Sequence, residues 1–246
     1  TFKRVDDAGN DKIETVKARF AVGTDGGRSR VRKALGITLE GDSADKAWGV
    51  MDILLNTDFP DIRVKSFIQS KDHGAVMTIP REGGYLIRFY VELDQIEKDT
   101  RAADLQLTEH DIIAKAQKIF HPYTLDVKEV AWWSKYSVGQ RLANRFDNRA
   151  VDSSDEIIPR AFVAGDACHT HSPKGGWGLN TSLPDTFNLG WKMAAVLQGK
   201  SKASLLATYS TERRKVANQL INADKELSIL VATRPVAGGA SQDAQV

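Results

Sequence analysis

Apolar and polar residues alternate near the start of the chain in the way that β-strands require. The run Phe2 to Val5 and the run from Ile13 onward are typical of the two strands of a hairpin, with turn residues between them. In the second run, apolar residues occupy every other position from Val16 to Val22, so we expect one continuous strand with a single apolar face. A short helix is predicted next, with Ser29 as its N-cap and Gly36 at its C-terminal end.

The middle of the chain, from about Trp48 to Gln140, is rich in strand-like segments. One helix is predicted among them, from Thr108 to Phe120, because apolar residues recur there at helical spacing and Thr108 with Asp111 makes a variant capping box. This stretch therefore predicts a separate, sheet-rich domain. The segments expected to form its strands are Val50–Leu55, Val64–Ser70, Ala75–Ile79, Tyr85–Leu93 and Val127–Val138.

An α/β pattern returns after Ile157. Arg160–Ala164 is a short apolar strand that ends in Gly165-Asp166, and a glycine-rich loop follows it. Two helices are predicted beyond the loop. One has apolar residues at four-residue intervals from Leu179 to Trp191, and the other runs from about Leu205 to Val231.

The composition is that of an ordinary folded protein. The chain has 246 residues, of which 41% are hydrophobic and 27% charged, and this argues against extensive disorder. A net charge of +2 argues against a dedicated binder of nucleic acid or of a membrane surface. One cysteine cannot form an intrachain disulfide, which favours a reducing compartment such as the cytoplasm, and no apolar run approaches the ~20 residues of a membrane span. The basic residues expected on a solvated, phosphate-facing helix are Arg28, Arg30, Arg32 and Lys33.

The most informative stretch runs from Phe162 to Asn180. A strand that ends in Gly165-Asp166 places a carboxylate at the carboxyl edge of a sheet, where ligands of open α/β sheets bind. An ionised carboxylate only accepts hydrogen bonds, so Asp166 suits a polyol such as a ribityl chain, although it could instead cap the turn that follows. The glycines of the next loop let the backbone approach a flat ligand, and the helix that the loop opens would stabilise negative charge there.

These residues resemble a known family. The segment from Gly165 to Asn180, followed by Asp185-x-x-Asn188-Leu-Gly-Trp-Lys192, is similar to the second flavin motif of the FAD-dependent aromatic hydroxylases. Within that family it is most similar to the phenol 2-monooxygenase and 3-hydroxybenzoate 4-monooxygenase branch. Other segments agree in order along the chain: Thr24–Arg32 resembles the Asp-Gly motif, Ile79–Tyr90 the strands that line the aromatic substrate, and Trp132–Arg141 and Tyr209–Arg213 two later landmarks.

The resemblance implies both a fold and a reaction. The fold class is α/β (α+β): a Rossmann-like, three-layer FAD-binding domain with an inserted mixed β-sheet domain for the substrate, as in p-hydroxybenzoate-hydroxylase-like folds. Residues 1–46 and 148–246 would belong to the FAD-binding domain, and residues 47–147 to the substrate-binding domain. The reaction would be hydroxylation of a hydroxybenzoate or phenol with O2, using NADPH to reduce FAD and proceeding through a flavin C4a-hydroperoxide. A homodimer is a further expectation.

The resemblance also assigns roles to individual residues. Asp166 would bind the ribityl chain, and Asp25 with Gly26 would lie near the FAD ribose or pyrophosphate, or on the path of NADPH. Tyr90 would be catalytic, hydrogen-bonding the substrate hydroxyl and touching the flavin ring. Lys65, expected on a strand, would bind a hydroxybenzoate carboxylate, with a solvated strand lysine as an equal alternative. The loop residues expected at the pyrimidine edge of the flavin are Pro173, Gly175, Gly176, Trp177, Gly178, Leu179 and Asn180.

Several family features are missing or changed. No Gly-x-Gly-x-x-Gly fingerprint occurs, and the family's catalytic aspartate would precede Thr1. We therefore expect a chain cut at its N-terminus that binds FAD poorly and does not turn over alone. Pro184 falls where a helix should run, and it is expected either to cost ~3 kcal/mol through a lost intrahelical bond or to force a kink. The alternatives are a non-catalytic module that keeps only the fold and a metal-binding module built on Cys168-His169-x-His171.

Overall fold

The computed structural model describes residues 2–5, 11–42, 46–95, 106–136, 139–150, 157–173 and 175–232. The hairpin tip and the polar C-terminal tail lie outside these residues. The chain divides into two compact units, each described separately below. The α/β unit comprises residues 1–40, 142–170 and 177–219, and the sheet unit comprises residues 41–141, 171–176 and 220–246.

The secondary structure alternates between short strands and a few long helices. The elements are β1 (Phe2–Val5), β2 (Asp11–Glu14), β3 (Ala21–Gly23), α1 (Arg30–Ala34), β4 (Leu39–Asp42), β5 (Lys46–Asn56), β6 (Ser66–Ser70), β7 (Gly74–Pro80), β8 (Ile87–Gln95), α2 (Glu109–Phe120), β9 (Asp126–Tyr136), β10 (Gln140–Ala143), β11 (Ala161–Val163), β12 (His169–Thr170), α3 (Gly178–Leu197) and α4 (Thr208–Ala232). Short 3-10 helices occupy Gly165–Ala167 and Ala203–Ala207. Across the described part of the chain, no helix has the length and apolar character needed to cross a bilayer.

The hairpin at the start of the chain forms as predicted, but its second strand is shorter. β1 and β2 pair antiparallel, with Phe2 opposite Glu14. The prediction of one strand as far as Val22 is wrong, because residues 15–20 lie outside any strand. Val16 in this break is exposed, so the alternation does not mark a buried face. The chain enters a sheet again only at β3.

A five-stranded sheet of order β6-β7-β8-β5-β9 forms the main part of the sheet unit. The sequence predicts all five strands, with bounds that differ by a few residues. Every pairing is antiparallel, whereas the resemblance implied a mixed sheet. The register sets one residue of each strand in a row across the sheet: Phe67, Met77, Tyr90, Val50 and Ser134. Directly paired residues share a face of a sheet, so the row lies on the face of Tyr90.

Helix α2 covers the opposite face of this sheet. The helix begins with the predicted capping box: Asp111 N donates to Thr108 Oγ1 (3.3 Å), and Thr108 N donates to Asp111 Oδ2 (2.8 Å). Gly49 permits close packing, because a Cβ there would lie 2.8 Å from Ile112. The core between sheet and helix includes Met51, Ile53, Phe89, Val91, Ile112, Ala116, Ile119 and Phe120.

The α/β unit is organised around the parallel pair β3 and β11, in which Gly23 lies opposite Val163. Helix α4 is fastened to β11, because the buried Tyr209 hydroxyl donates to the Val163 carbonyl (2.8 Å). Burial raises the pKa of Tyr209, so the hydroxyl keeps its proton for this bond. Helix α3 continues through Pro184, so the proline does not end it.

Candidate functional site

The two sequence motifs of the α/β unit meet at one edge of its parallel strands. The loop after β3 carries Asp25 and the turn after β11 carries Asp166, and the carboxyl ends of parallel strands lie at the same edge. Arg32 of α1 joins the two segments. Its Nη1 donates to the Ala167 carbonyl (2.8 Å) and its Nη2 to the Gly27 carbonyl (2.8 Å).

This use of Arg32 is one that the sequence did not reveal. Arg28, Arg30 and Lys33 are exposed, as predicted for a solvated helix. Arg32 is only 5% exposed, so the prediction is wrong for this residue. The buried guanidinium satisfies backbone carbonyls and holds the two loops in register.

Asp25 caps the start of α1. Its carboxylate accepts hydrogen bonds from the Arg30 amide (2.6 Å), the Val31 amide (3.2 Å) and the Ser29 hydroxyl. Desolvation by burial would raise the pKa of Asp25, but these hydrogen bonds outweigh it and lower the pKa. Ser29 is the N-cap, as predicted, and accepts from the Arg32 amide (2.9 Å). The expected place of Asp25 beside the FAD ribose or pyrophosphate stays a prediction.

Asp166 lies in a tight turn that its own side chain does not close. The Cys168 amide donates to the Gly165 carbonyl (2.8 Å), and this backbone bond completes the turn. Within the described residues the exposed Asp166 carboxylate makes no hydrogen bond, so the capping alternative has no support there. Its oxygens are available to accept from a ligand.

A buried carboxylate, Asp185 of α3, lies against this turn. Its Oδ2 accepts from the Gly165 amide (3.2 Å) and lies 2.7 Å from His169 Nε2, and its Oδ1 accepts from Arg213 Nε (2.7 Å). An ionised carboxylate only accepts hydrogen bonds, so His169 Nε2 carries the proton in this contact. Asp185 thus connects the Asp166 turn to both long helices.

Two more hydrogen bonds join α3 to α4, on the face of α3 that carries Asp185. Asn188 Nδ2 donates to Glu212 Oε2 (2.9 Å), and the buried Lys192 Nζ donates to the same oxygen (2.6 Å). Although burial opposes it, these bonds lower the pKa of Glu212. Both segments belong to the motifs identified in the sequence, but no role was predicted for Asn188, Lys192 or Glu212. The spacing of Asp185, Asn188 and Lys192 at i, i+3 and i+7 is the signal, because it places all three on one helix face.

Three possible metal ligands are also gathered in the α/β unit. One ligand atom from each of Cys168, His169 and Asp185 lies within 4.8 Å of the others, whereas His171 is not part of this group of described residues. Burial first, and then the charge of Asp185, raises the pKa of the Cys168 thiol, which opposes the thiolate that zinc prefers. Both Asp185 oxygens already accept hydrogen bonds, including one from Arg213. Cys168, His169 and Asp185 therefore belong to a hydrogen-bonded network.

The first part of the predicted flavin loop lies in the sheet unit. The Gly176 amide donates to the Pro173 carbonyl (3.1 Å), with Gly175 inside this turn. Gly176 has φ of +67°, a conformation that glycine adopts without strain. Asp224 of α4 anchors the start of the loop, because its carboxylate accepts from the Ser172 amide (2.8 Å) and hydroxyl (2.6 Å).

The second part of the loop begins α3 in the α/β unit. Trp177 is the N-cap and provides no side-chain capping bond, and Gly178 is the first helical residue. Leu179 is 70% exposed and Asn180 is also exposed. The positive end of the α3 dipole therefore lacks a side-chain cap. The apolar spacing along α3 marks an exposed face of this unit, formed by Leu179, Leu183, Phe187 and Trp191.

In the sheet unit, Tyr90 shares its face with a charged pair. Arg88 Nε donates to Asp52 Oδ1 (2.8 Å) and Arg88 Nη2 to Asp52 Oδ2 (2.7 Å), while the guanidinium carbon lies 5.6 Å from the centre of the Trp132 ring. The Asp52 hydrogen bonds are the largest cause of the raised pKa of Arg88, and the neighbouring Tyr90 shifts it in the same direction. A tyrosine hydroxyl both donates and accepts hydrogen bonds, so Tyr90 is chemically able to bind a ligand hydroxyl on this face.

The prediction that Lys65 lies on a strand is wrong. β6 begins at Ser66, and Lys65 is exposed in the segment before it. Arg63 Nη1 donates to the Gly84 carbonyl and ties that segment to the turn before β8. The role of Lys65 as a carboxylate ligand stays a prediction.

Comparisons with known proteins agree with these motifs. A family model described as "FAD binding domain" matches residues 3–224. The chain is 54% identical over 241 residues to a 3-hydroxybenzoate 4-monooxygenase of Comamonas testosteroni, covering 97% of this chain and 38% of that protein. It is 43% identical over 213 residues to a phenol 2-monooxygenase of Aspergillus fumigatus, covering 87% of this chain and 34% of that protein. The chain thus spans about two-fifths and one-third of their lengths.

Solved structures confirm the predicted fold class. The anhydrotetracycline hydroxylase OxyS from Streptomyces rimosus matches with a TM-score of 0.66 and 29% identity, over 87% of this chain and 39% of that one. CabE, an aromatic hydroxylase from angucycline biosynthesis, matches with a TM-score of 0.68 and 30% identity, over 88% of this chain and 40% of that one.

Proposed function

The chain belongs to the family of FAD-dependent aromatic hydroxylases, and from this premise we propose that it supplies flavin-binding and substrate-binding residues of an NADPH-dependent aromatic monooxygenase. One observation carries the proposal. The parallel pairing of β3 with β11 brings the loop of Asp25 and the turn of Asp166 to one edge, where dinucleotide-type ligands bind in α/β folds.

The chemistry of these residues fits FAD. The Asp166 carboxylate is exposed and accepts no hydrogen bond from the described residues, as a ligand for ribityl hydroxyls requires. The start of α3 lacks a side-chain cap, so its dipole would stabilise negative charge on the pyrimidine edge of the flavin. We assign the ribityl chain to Asp166 and the pyrimidine edge to Pro173, Gly175, Gly176, Trp177, Gly178, Leu179 and Asn180.

When bound, FAD would supply the activation of O2 after reduction by NADPH, and the chain would prepare the aromatic substrate. Electrophilic oxygen transfer favours an electron-rich phenolate over a phenol. A phenolic group with pKa about 10 costs roughly 4 kcal/mol to ionise at pH 7. Tyr90 would lower that cost by donating a hydrogen bond to the substrate oxygen, which stabilises the phenolate.

Titration of the chain with FAD, followed by flavin fluorescence, tests the proposal. Weak but saturable one-to-one binding is expected, because the residues for the ribityl chain and the pyrimidine edge are present. A chain that leaves the fluorescence unchanged, while folded, would contradict it.

Tyr90→Phe is expected to weaken binding of 3-hydroxybenzoate about three- to tenfold, the equivalent of one neutral hydrogen bond. Binding of benzoate, which has no hydroxyl, should not change, and neither should FAD affinity. Calorimetric titration of both variants with both ligands measures this, and NADPH oxidation adds a rate wherever the wild type turns over. Equal loss of benzoate and hydroxybenzoate affinity would make Tyr90 structural.

The proposed substrate is a hydroxybenzoate, with phenol as the alternative, and Lys65 is the residue that distinguishes them. If Lys65 binds the carboxylate, Lys65→Met should weaken 3-hydroxybenzoate binding several-fold and leave phenol binding unchanged, because only the former is anionic at pH 7. Lys71→Met, another lysine of the sheet unit, is the matched control. Unchanged hydroxybenzoate affinity in Lys65→Met would show Lys65 to be a solvated lysine.

A further inference from the structure

The turn that carries Asp166 is held from two directions by α3. Gly165 has φ of +62°, and a Cβ at this position would lie 3.2 Å from Ser182. The Gly165 amide donates to Asp185, which is fully buried. The backbone immediately before Asp166 therefore approaches α3 more closely than a residue with a Cβ usually does, and it is held there by a hydrogen bond to a charged group.

Asp185 is also linked to the start of α3, through Arg213. Arg213 Nε donates to Asp185 Oδ1 (2.7 Å), and Arg213 Nη2 donates to the Thr181 carbonyl (3.3 Å) in the first turn of the helix. His169 contacts the other carboxylate oxygen from the strand that follows the turn. One partly buried ion pair thus connects the Asp166 turn to the helix start that we assign to the flavin ring.

We propose that Asp185 is a positioning residue for flavin binding, which directs the Asp166 carboxylate to the ribityl chain through the Gly165 amide. This inference rests on the proposed function, because it takes Asp166 as the ribityl ligand. Asp185 is fully buried, so it would act on the flavin through the turn and not by direct contact. Its negative charge is balanced by Arg213, and its geometry is fixed by contacts from Gly165, His169 and Arg213, which lie on three different elements.

The test compares riboflavin with lumiflavin, which has the same ring system and no ribityl chain. In Asp185→Asn, one carboxylate oxygen becomes a donor that faces Arg213, His169 or the Gly165 amide, so the turn should shift. Riboflavin affinity should fall about tenfold and lumiflavin affinity less than about twofold. Asp147→Asn, which removes another buried carboxylate of the same unit, should lower the melting temperature without changing the riboflavin-to-lumiflavin ratio.

A double-mutant cycle with Asp166→Asn gives a second measure. If Asp185 acts through Asp166, adding Asp185→Asn to Asp166→Asn should cause no further loss of riboflavin affinity. Additive losses, or an unchanged ratio in Asp185→Asn, would overturn the inference. If Asp185→Asn does not fold, Arg213→Lys is the substitute. It keeps the positive charge but loses the planar guanidinium, and it should also reduce the ratio of riboflavin to lumiflavin affinity. A wild-type chain that binds riboflavin no more tightly than lumiflavin would contradict the role of Asp166 itself.

Discussion

Asp147→Ala is expected to lower the free energy of unfolding by about 3–5 kcal/mol, because it removes the carboxylate that compensates a buried guanidinium. Arg149 Nη2 lies 3.0 Å from Asp147 Oδ2, and Arg149 Nε lies 3.2 Å from each carboxylate oxygen. Asp147 is 1% exposed and Arg149 9% exposed. The arginine also donates to the Ala207 carbonyl (2.8 Å), so it cannot turn to solvent without breaking that bond.

Loss of this pair should also affect strand β11, because the segment that carries the pair contacts that strand. Asp147 bridges Phe162 of β11 through the backbone, and the neighbouring Asn148 side chain accepts from the Ala161 amide (3.0 Å). Urea unfolding followed by far-ultraviolet circular dichroism measures the change. The matched control is Asp147→Ala with Arg149→Met, which removes both charges and should recover most of the stability. A single variant as stable as the wild type would show that the pair contributes little.

Structural features that depend on residues close together along the chain were predictable from the sequence. The capping box of Thr108 and Asp111 and the N-cap at Ser29 form as predicted, because donor and acceptor lie three residues apart. Tyr90 and Arg88 share a sheet face because side chains alternate along a strand. The partner of Arg88 was not predictable, since Asp52 lies 36 residues away and its strand reads as apolar.

The parts of the site that sequence reasoning missed are long-range and polar. Arg32 reads as one member of a basic cluster, and only the fold shows that it joins carbonyls from two loops. Asp185 and Arg213 stand 28 residues apart, so no local rule links them. Strands β4, β10 and β12 have too few residues to establish a period, and residues 15–20 alternate without a partner strand.

Asp166→Asn is expected to weaken FAD binding by roughly 10- to 150-fold, the range for losing hydrogen bonds to a charged group. Asparagine has the same shape but replaces one acceptor oxygen with a donor, so ribityl hydroxyls would lose an ionised partner. Stability should change little, because the Asp166 side chain is exposed and makes no hydrogen bond to the described residues. Parallel FAD titration and thermal unfolding separate the two effects.

The control for this substitution is Asp72→Asn, the same chemical change in the exposed turn between β6 and β7. It should leave the melting temperature unchanged and should not weaken FAD binding. The comparison matters because removing any negative charge from the protein alters its attraction for the anionic pyrophosphate of FAD. Losing a carboxylate should by that general effect slightly strengthen binding, so a large loss confined to Asp166→Asn can only come from the specific contact. Equal FAD affinity in Asp166→Asn and the wild type would remove Asp166 from the flavin site.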